Sequence, residues 1–581
     1  MNIANKSKYP LNWDLSFFYD SIEDPRITKD MAIITQKVEE FAKKYHNDKK
    51  HLEDPNALLL ALKEYENLML SFGNEGRFIF YSSLCQSLNQ NDPKIKALNN
   101  KVSELNTELT NKYRFFMLEI SKIPADNQKK FLEAEVLSEY KHFLEKAFEE
   151  AKYLLSEKEE NILSTVSKGA YSNWVQMIES FLSKESATIV NENREKQNVN
   201  FHELFGFLSS QNKTTRDSAA KGIAKILKKH VEVAENEINS ILEFKKNTDK
   251  LRGFSRPDQS SLISNDLDSD VVDAMLNSVV SRYDISQKFY KLKASLMGVE
   301  KIDYHERTIP ILSTHNKEYT YDESVDLVST VFKNLDPLFY EIFTDMLEKR
   351  RFDVFPKEGK SGGAFCTNNL KNLPIYVLLN HKNKRNDVTT IAHEMGHAIN
   401  HTLVAKNENE LNNTISLATA ETASTFMEDF VLEEILRTTG EKERLSIYLD
   451  ILSDNINTIT RQVACYKFEQ DLHKNFRKKG YLSAKDINKL FKKNMKAYMG
   501  NYVKQNYKSE LWWVYWSHIR YFFYVFSYAS GLLISKSLQS KYREDKEFMK
   551  EIKKFLSTGG SKSPKEIFAE MGIDITNKEF W

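Results

Sequence analysis

NDVTTIAHEMGHAINH, residues 386–401, leads into and fills most of a helix expected over 388–404, with two different faces. At about 100° per residue, Val388, Ile391, Met395, Ala398 and Ile399 gather on one side, and His393 and His397 on the other. Asp387 stands where it can cap the helix start. A helix with an apolar face has to be buried against other elements, and the sequence around it offers mostly more helices. Residues 417–438, 441–479, 483–499 and 511–538 carry apolar positions at helical spacing. Ser483 with Asp486 three residues on resembles a capping box, and Gly480 and Gly500 fall where helices should end.

The same pattern extends toward the N-terminus. From about residue 27 to 180 amphipathic helices follow one another, as in Asn56–Lys63 (NALLLALK), with breaks at Asp92-Pro93 and Pro124. The pattern weakens over 183–199, where Ala187–Val190 (ATIV) suits a short strand. This is the expected boundary between an N-terminal helical lobe (1–190) and the remainder (191–581). Helices are expected again from Phe201 to about Lys349. Residues 351–387 differ. Gly359, Gly362 and Gly363 precede AFCTN and then PIYVLLN (374–380), which predicts a small hairpin or sheet.

Composition agrees with a mostly α protein. The 581 residues include 18 Gly and 11 Pro, together about 5%, against roughly 12% in average chains. Turn-rich all-β folds and collagenous or Pro/Gly-rich disordered chains are thereby excluded. The net charge of +1 leaves no electrostatic footprint for nucleic acid or an anionic membrane. Cys85, Cys366 and Cys465 are far apart and odd in number, which predicts no disulfide framework and a reducing, cytoplasmic setting. The first residues, MNIANKSKYPLNWDLS, show no apolar secretory stretch. Leu511–Ile534 is long enough to span a bilayer, but His518 and Arg520 would lie near its middle, so a buried helix is expected there instead.

His393-Glu394-Met395-Gly396-His397 carries the chemistry. The two imidazoles lie one helical turn apart and can reach one ion. Glu394 falls about 100° from His393, beside the metal, where it can take a proton from water. With 13 histidines in the chain, a chance match to H-E-x-x-H is expected only about 0.02 times. Such a site needs a third protein ligand. The metzincin solution requires Gly and His at positions that here hold Asn400 and Leu403. His401 lies too far along the helix and is expected to be a polar neighbour. Glu421, 24 residues past His397 on the next helix, is the expected ligand. Glu428, two turns on along the same face, is expected to orient a ligand histidine. His₂Glu ligation suits Zn²⁺.

The chain resembles the M3 zinc peptidases, specifically the oligoendopeptidase F group. The likeness runs through WDLSFFYDSIEDPR (from Trp13), GKSGGAFCTNN, NDVTTIAHEMGHAINH, TAETASTFMEDFVLE and the C-terminal FLSTGGSKSPKEIFAEMGID. It implies a mostly α, two-lobed ellipsoid with a deep central channel, and a small β-sheet beside a single zinc ion. It implies His393, His397 and Glu421 as ligands, Glu394 as general base, and 191–581 as the catalytic part. Gly362, Gly363 and Ala364 would offer backbone to an extended peptide. His518 and Tyr528 would hold the oxyanion, with Tyr521 and Tyr524 contacting substrate, all on one 511–534 helix. Phe526 stands where relatives often carry a further tyrosine.

The expected activity is therefore zinc-dependent hydrolysis of internal bonds in short oligopeptides, with no nucleic-acid or membrane partner. A zinc carboxypeptidase or dipeptidyl carboxypeptidase on the same fold is the nearest rival. It would need a cation for the substrate carboxylate, for which Arg520 and Lys360 are available. A catalytically inactive helical binding protein is the third reading, against which the intact His/Glu/His set argues.

Overall fold

Five of the eleven prolines sit at helix starts. Pro25, Pro55, Pro93, Pro337 and Pro564 each occupy the first turn of a helix. There the missing N–H leaves no bond unmade and φ is already set. Each follows Asp24, Asp54, Asp92, Asp336 or Ser563, whose side chain accepts a bond from a backbone N–H of the first turn.

The computed structural model describes residues 7–311 and 317–581 and is built mainly of helices. The helix run expected from Phe201 to Lys349 crosses 312–316, and the reading of the first residues includes 1–6. Both stretches lie outside the described residues. Among the described residues, seven short strands interrupt the helices: β1 (Ser186–Val190), β2 (Lys196–Asn200), β3 (Ile302–Asp303), β4 (Phe352–Asp353), β5 (Phe365–Thr367), β6 (Tyr376–Leu378) and β7 (Val503–Lys504). β1 and β2 form an antiparallel hairpin where ATIV predicted a strand, β3 pairs with β7 in parallel, and β4-β6-β5 form a mixed sheet.

Two compact units are present. The first comprises Met1–Lys152, Asn316–Thr438 and Ile534–Gly572; the second comprises Tyr153–His315, Thr439–Leu533 and Ile573–Trp581. The hairpin β1–β2, where the sequence pattern weakens, lies in the second. In the first unit an aromatic core of Phe18, Phe41, Phe78 and Phe116 reaches the mixed sheet at Tyr376. The Trp13 indole donates to the Val377 carbonyl at 2.8 Å. The second unit is organised along the 40-residue helix Lys213–Arg252, with Tyr466, Trp513 and Phe523 in its core.

Most expected helices are found at their expected limits. Residues 417–438 form the helix Leu417–Thr438. Ala484–Met499 starts behind the Ser483/Asp486 capping box, and Gly480 ends its predecessor in a left-handed conformation. The run 441–479 is helical throughout but contains a π-helical turn, Asn457–Arg461.

The stretch 511–538 corrects the expectation of a single helix. It consists of two short 3₁₀ segments, Ser509–Val514 and Ser517–Arg520, and an α-helix that begins only at Phe526. The Arg520 guanidinium bonds the carbonyls of Trp513, Val514 and Trp516 and the carboxylate of Glu237. Those carbonyls would otherwise serve the i→i+4 ladder of a helix. Phe522 and Phe523 then adopt positive φ of 49° and 59°, which no helix continues through. Among the described residues, no helix is long and apolar enough to cross a membrane.

Candidate metal centre

The helix bearing HEMGH runs Arg385–Asn407. Asp387 caps it from inside the first turn, accepting from the N–H groups of Lys382 and Lys384 at 2.8 Å each. Val388, Ile391, Met395, Ala398 and Ile399 are fully buried, so the predicted core face is the core face. The helix packs along Leu417–Thr438, and the two backbones come together at Gly396.

This packing assembles three ligand groups. The His393 and His397 rings lie 5.1 Å apart, nearly perpendicular. Nε2 of His393 is 3.8 Å from Oε2 of Glu421. One ligand atom from each of His393, His397 and Glu421 falls within 4.8 Å of the others. Nδ1 of His393 is 3.2 Å from Oε2 of Glu428, so the structure brings Glu428 to the histidine it was expected to meet. With the Nδ1–H donating there, Nε2 is left with its lone pair toward Glu421. Ser424, which sequence reasoning missed, donates to the Glu421 carbonyl at 3.1 Å and reaches its carboxylate at 3.4 Å.

Two nitrogens and a carboxylate oxygen converging on one point are the donor set of a catalytic zinc site. Among the described residues no lysine or arginine neutralises them. The contrast is a second cluster, Asp217, Asp303, His305 and Glu306. There Lys213 Nζ sits 2.8 Å from Asp217, 3.2 Å from Asp303 and 3.4 Å from Glu306, and Arg216 bonds Glu306 at 2.8 Å. The cation that cluster requires is already a side chain.

Electrostatics separates the two histidines. Burial disfavours the charged form of His393, but the Glu428 hydrogen bond and charge, helped by Glu394 and Glu421, raise it to about 9. Burial and the charge of His393 lower His397 to about 3. Glu394 is buried, which raises its pKa, and this is opposed by His393 and by the nearby Cys366 backbone. Cys366 lies in β5, so the small sheet touches the general-base candidate directly. His401 accepts a bond from Asn368 at 2.8 Å, the polar-neighbour role expected of it.

The other predicted residues are distributed as follows. Gly362, Gly363 and Ala364 form the turn entering β5 rather than part of the strand. Gly363 has φ of 75°, and its carbonyl accepts from the Asn380 amide at 2.7 Å. β5 is an edge strand, paired with β6 alone among the described residues. In the second unit His518 Nδ1 is hydrogen-bonded to the Tyr524 hydroxyl. The Tyr528 ring lies 6.1 Å from His518 and 5.9 Å from Tyr524. His518, Tyr521 and Tyr524 do not share a helix with Tyr528, and Tyr521 is 55% exposed. Phe526 is fully buried, its ring 6.2 Å from Tyr466, which accounts for a side chain without a hydroxyl. Burial and the charge of Arg461 lower His518 to about 4, so its imidazole is neutral. Arg520 and Lys360 are both held in internal ion pairs, with Glu237 and Asp353. Neither is free to bind a substrate carboxylate.

Comparison with known proteins agrees with this geometry. The model of "Peptidase family M3" matches residues 164–581, and that of "Oligopeptidase F" matches 119–180. The chain is 26% identical over 577 residues to an oligoendopeptidase F homolog of Borreliella burgdorferi, covering 97% of this chain and 94% of the relative. It is 24% identical over 512 residues to oligopeptidase PepF of Bacillus subtilis, covering 87% and 76%. In fold it is similar to oligoendopeptidase-F from Enterococcus faecium, with a TM-score of 0.69 at 18% identity, covering 95% and 96%.

Proposed function

Because the chain belongs to peptidase family M3 and is a metallo-oligopeptidase, we propose that His393, His397 and Glu421 hold one zinc ion and Glu394 acts as general base. Zinc, when bound, polarises a peptide carbonyl and makes water a nucleophile near neutral pH. Glu394 takes a proton from the attacking water and returns it to the leaving amine. The burial of Glu394, which raises its pKa, supports this role. Glu428 fixes the tautomer and plane of His393.

The substrate groups follow the family resemblance. His518 and Tyr528 are proposed to donate to the developing oxyanion, with Tyr524 and Tyr521 as substrate contacts. The Tyr524–His518 bond supports this: when Nδ1 accepts from the phenol, Nε2 carries the proton and can donate. Gly362, Gly363 and Ala364 leave room for an extended peptide running by the edge of β5. Internal bonds of short oligopeptides are the proposed targets, in line with the relatives' names. A cytoplasmic setting is proposed from three cysteines that are all free. All these groups follow residue 190, in line with 191–581 as the catalytic part; residues 1–152 of the proposed N-terminal lobe (1–190) belong to the same compact unit as the HEMGH helix, and 153–190 to the other.

The observation that carries the reading is the convergence of His393, His397 and Glu421 with Glu428 behind His393. Elemental analysis of the purified chain should find one zinc. Hydrolysis of an internally quenched peptide with blocked ends should stop with a chelator and return with zinc. Hydrolysis indifferent to the chelator would overturn it.

A further inference from the structure

The second unit contains a cavity of about 690 Å³, walled in part by Arg461, Trp516, His518, Phe201, Glu179 and His202. Arg461 ends the π-helical turn Asn457–Arg461, and such turns, rare in general, are frequent at functional sites. Its guanidinium stacks over the Trp516 ring at 4.5 Å. Its Nε is buried with no hydrogen-bond partner. Among the described residues no carboxylate forms an ion pair with Arg461. Arg216, Arg256, Arg477 and Arg520 of this unit are each paired with a carboxylate: Glu306, Asp258 and Asp273, Asp249, and Glu237. Among the described residues Arg307 also has an unpartnered Nε and no ion pair, but it is closed in over the rings of Tyr304 and Trp512 and does not line the cavity. A buried donor on a permanent cation is costly to leave unmade. A planar guanidinium over an aromatic ring keeps N–H groups at its edge to offer a carboxylate.

We propose that Arg461 and this cavity form a carboxylate-recognition subsite that fixes where in a short peptide the cut is made. The inference rests on the reading of His518 as a substrate contact, since His518 shares the cavity wall. Glu179 on the same wall disfavours a second anionic group and so limits the subsite to one. The carboxylate can come from the peptide's C-terminus or from an acidic side chain.

The test uses the zinc-loaded full chain and four quenched peptides: a parent with a free C-terminus and one internal glutamate, its C-terminal amide, its Glu-to-Gln analogue, and the doubly neutral form. For the wild type, neutralising one of the two carboxylates should lower kcat/KM by at least about tenfold, mainly through KM. The peptide that shows the loss identifies the source. In Arg461→Gln the ratio between acidic and neutral forms should fall to about one. Arg461→Lys should restore part of it, and Glu179→Gln should sharpen it. As a check independent of these variants, a product peptide with the recognised carboxylate should inhibit the wild type at least about tenfold better than its amide. Equal rates on all four peptides by the wild type, or an unchanged ratio in Arg461→Gln, overturn the subsite while leaving the peptidase reading intact. No hydrolysis of any peptide by the wild type overturns the peptidase reading itself.

Discussion

A Cβ placed on Gly396 would lie 2.5 Å from the Cα of Ser424 and 2.7 Å from the carbonyl oxygen of Ala423. The helix that bears His393 and His397 therefore approaches the helix that bears Glu421 more closely than any side chain allows. Backbone atoms cannot give way as a flexible side chain can. Gly396→Ala should push the helices apart, destabilise the protein by about 1–3 kcal/mol and weaken metal binding, because Glu421 moves away from the histidines. Thermal unfolding and zinc content read the two effects separately. Full zinc occupancy with an unchanged melting temperature would show that the close approach is dispensable.

Glu428 tests the outer part of the centre. Its carboxylate accepts from His393 Nδ1 at 3.2 Å and does not belong to the three-ligand group. Glu428→Ala should lower zinc affinity about 10–100-fold, measured by competition with a chromophoric chelator. Glu428→Gln keeps an acceptor without the charge and should fall between alanine and wild type. Identical affinities in all three would remove Glu428 from the centre.

Glu394→Gln separates chemistry from assembly. Glutamine keeps the size and shape of the side chain but cannot accept the water proton. Zinc content and folding should match the wild type, while kcat falls by about 10²–10⁴. Turnover at the wild-type rate would assign the base elsewhere.

What could be read from the sequence were features governed by near neighbours. The apolar face of 386–401, the Ser483/Asp486 box and the limits of 417–438 all depend on residues within a turn or two. The approach of Glu421 to His393 and His397 was legible because the helices that carry them are consecutive. The break in 511–538 was not, because its cause is Glu237, 283 residues from Arg520 in sequence. An arginine that draws three carbonyls out of register leaves no local pattern. Gly396 is similar: its position in HEMGH is visible, but the reason for it is the backbone of Ser424. The unpaired Arg461 becomes visible only when the partners of the other arginines are known.

Glu469 gives a pH dependence with a definite sign. It is fully buried; Oε1 accepts from the Phe523 N–H at 3.0 Å and Oε2 has no partner. Burial pushes its pKa from 4.5 to about 8, with the Phe523 bond opposing and Asp258 adding to the rise. Below pH 4.5 the carboxyl is protonated folded and unfolded alike, and its contribution is intact. Between 4.5 and about 8 the folded state keeps a proton that the unfolded state has lost. Stability therefore falls as pH rises through this window, by at most about 1.4 kcal/mol per pH unit. Glu469→Gln cannot ionise and should escape that loss. Its unfolding free energy relative to wild type, from denaturant titrations, should rise from pH 5 to pH 8 and then level off, by about one to a few kcal/mol in all. The Phe523 bond is retained by the glutamine oxygen, so the left-handed turn at 522–523 is preserved and the comparison isolates the charge. A difference that stays constant across the window would mean that Glu469 ionises as an ordinary carboxylate.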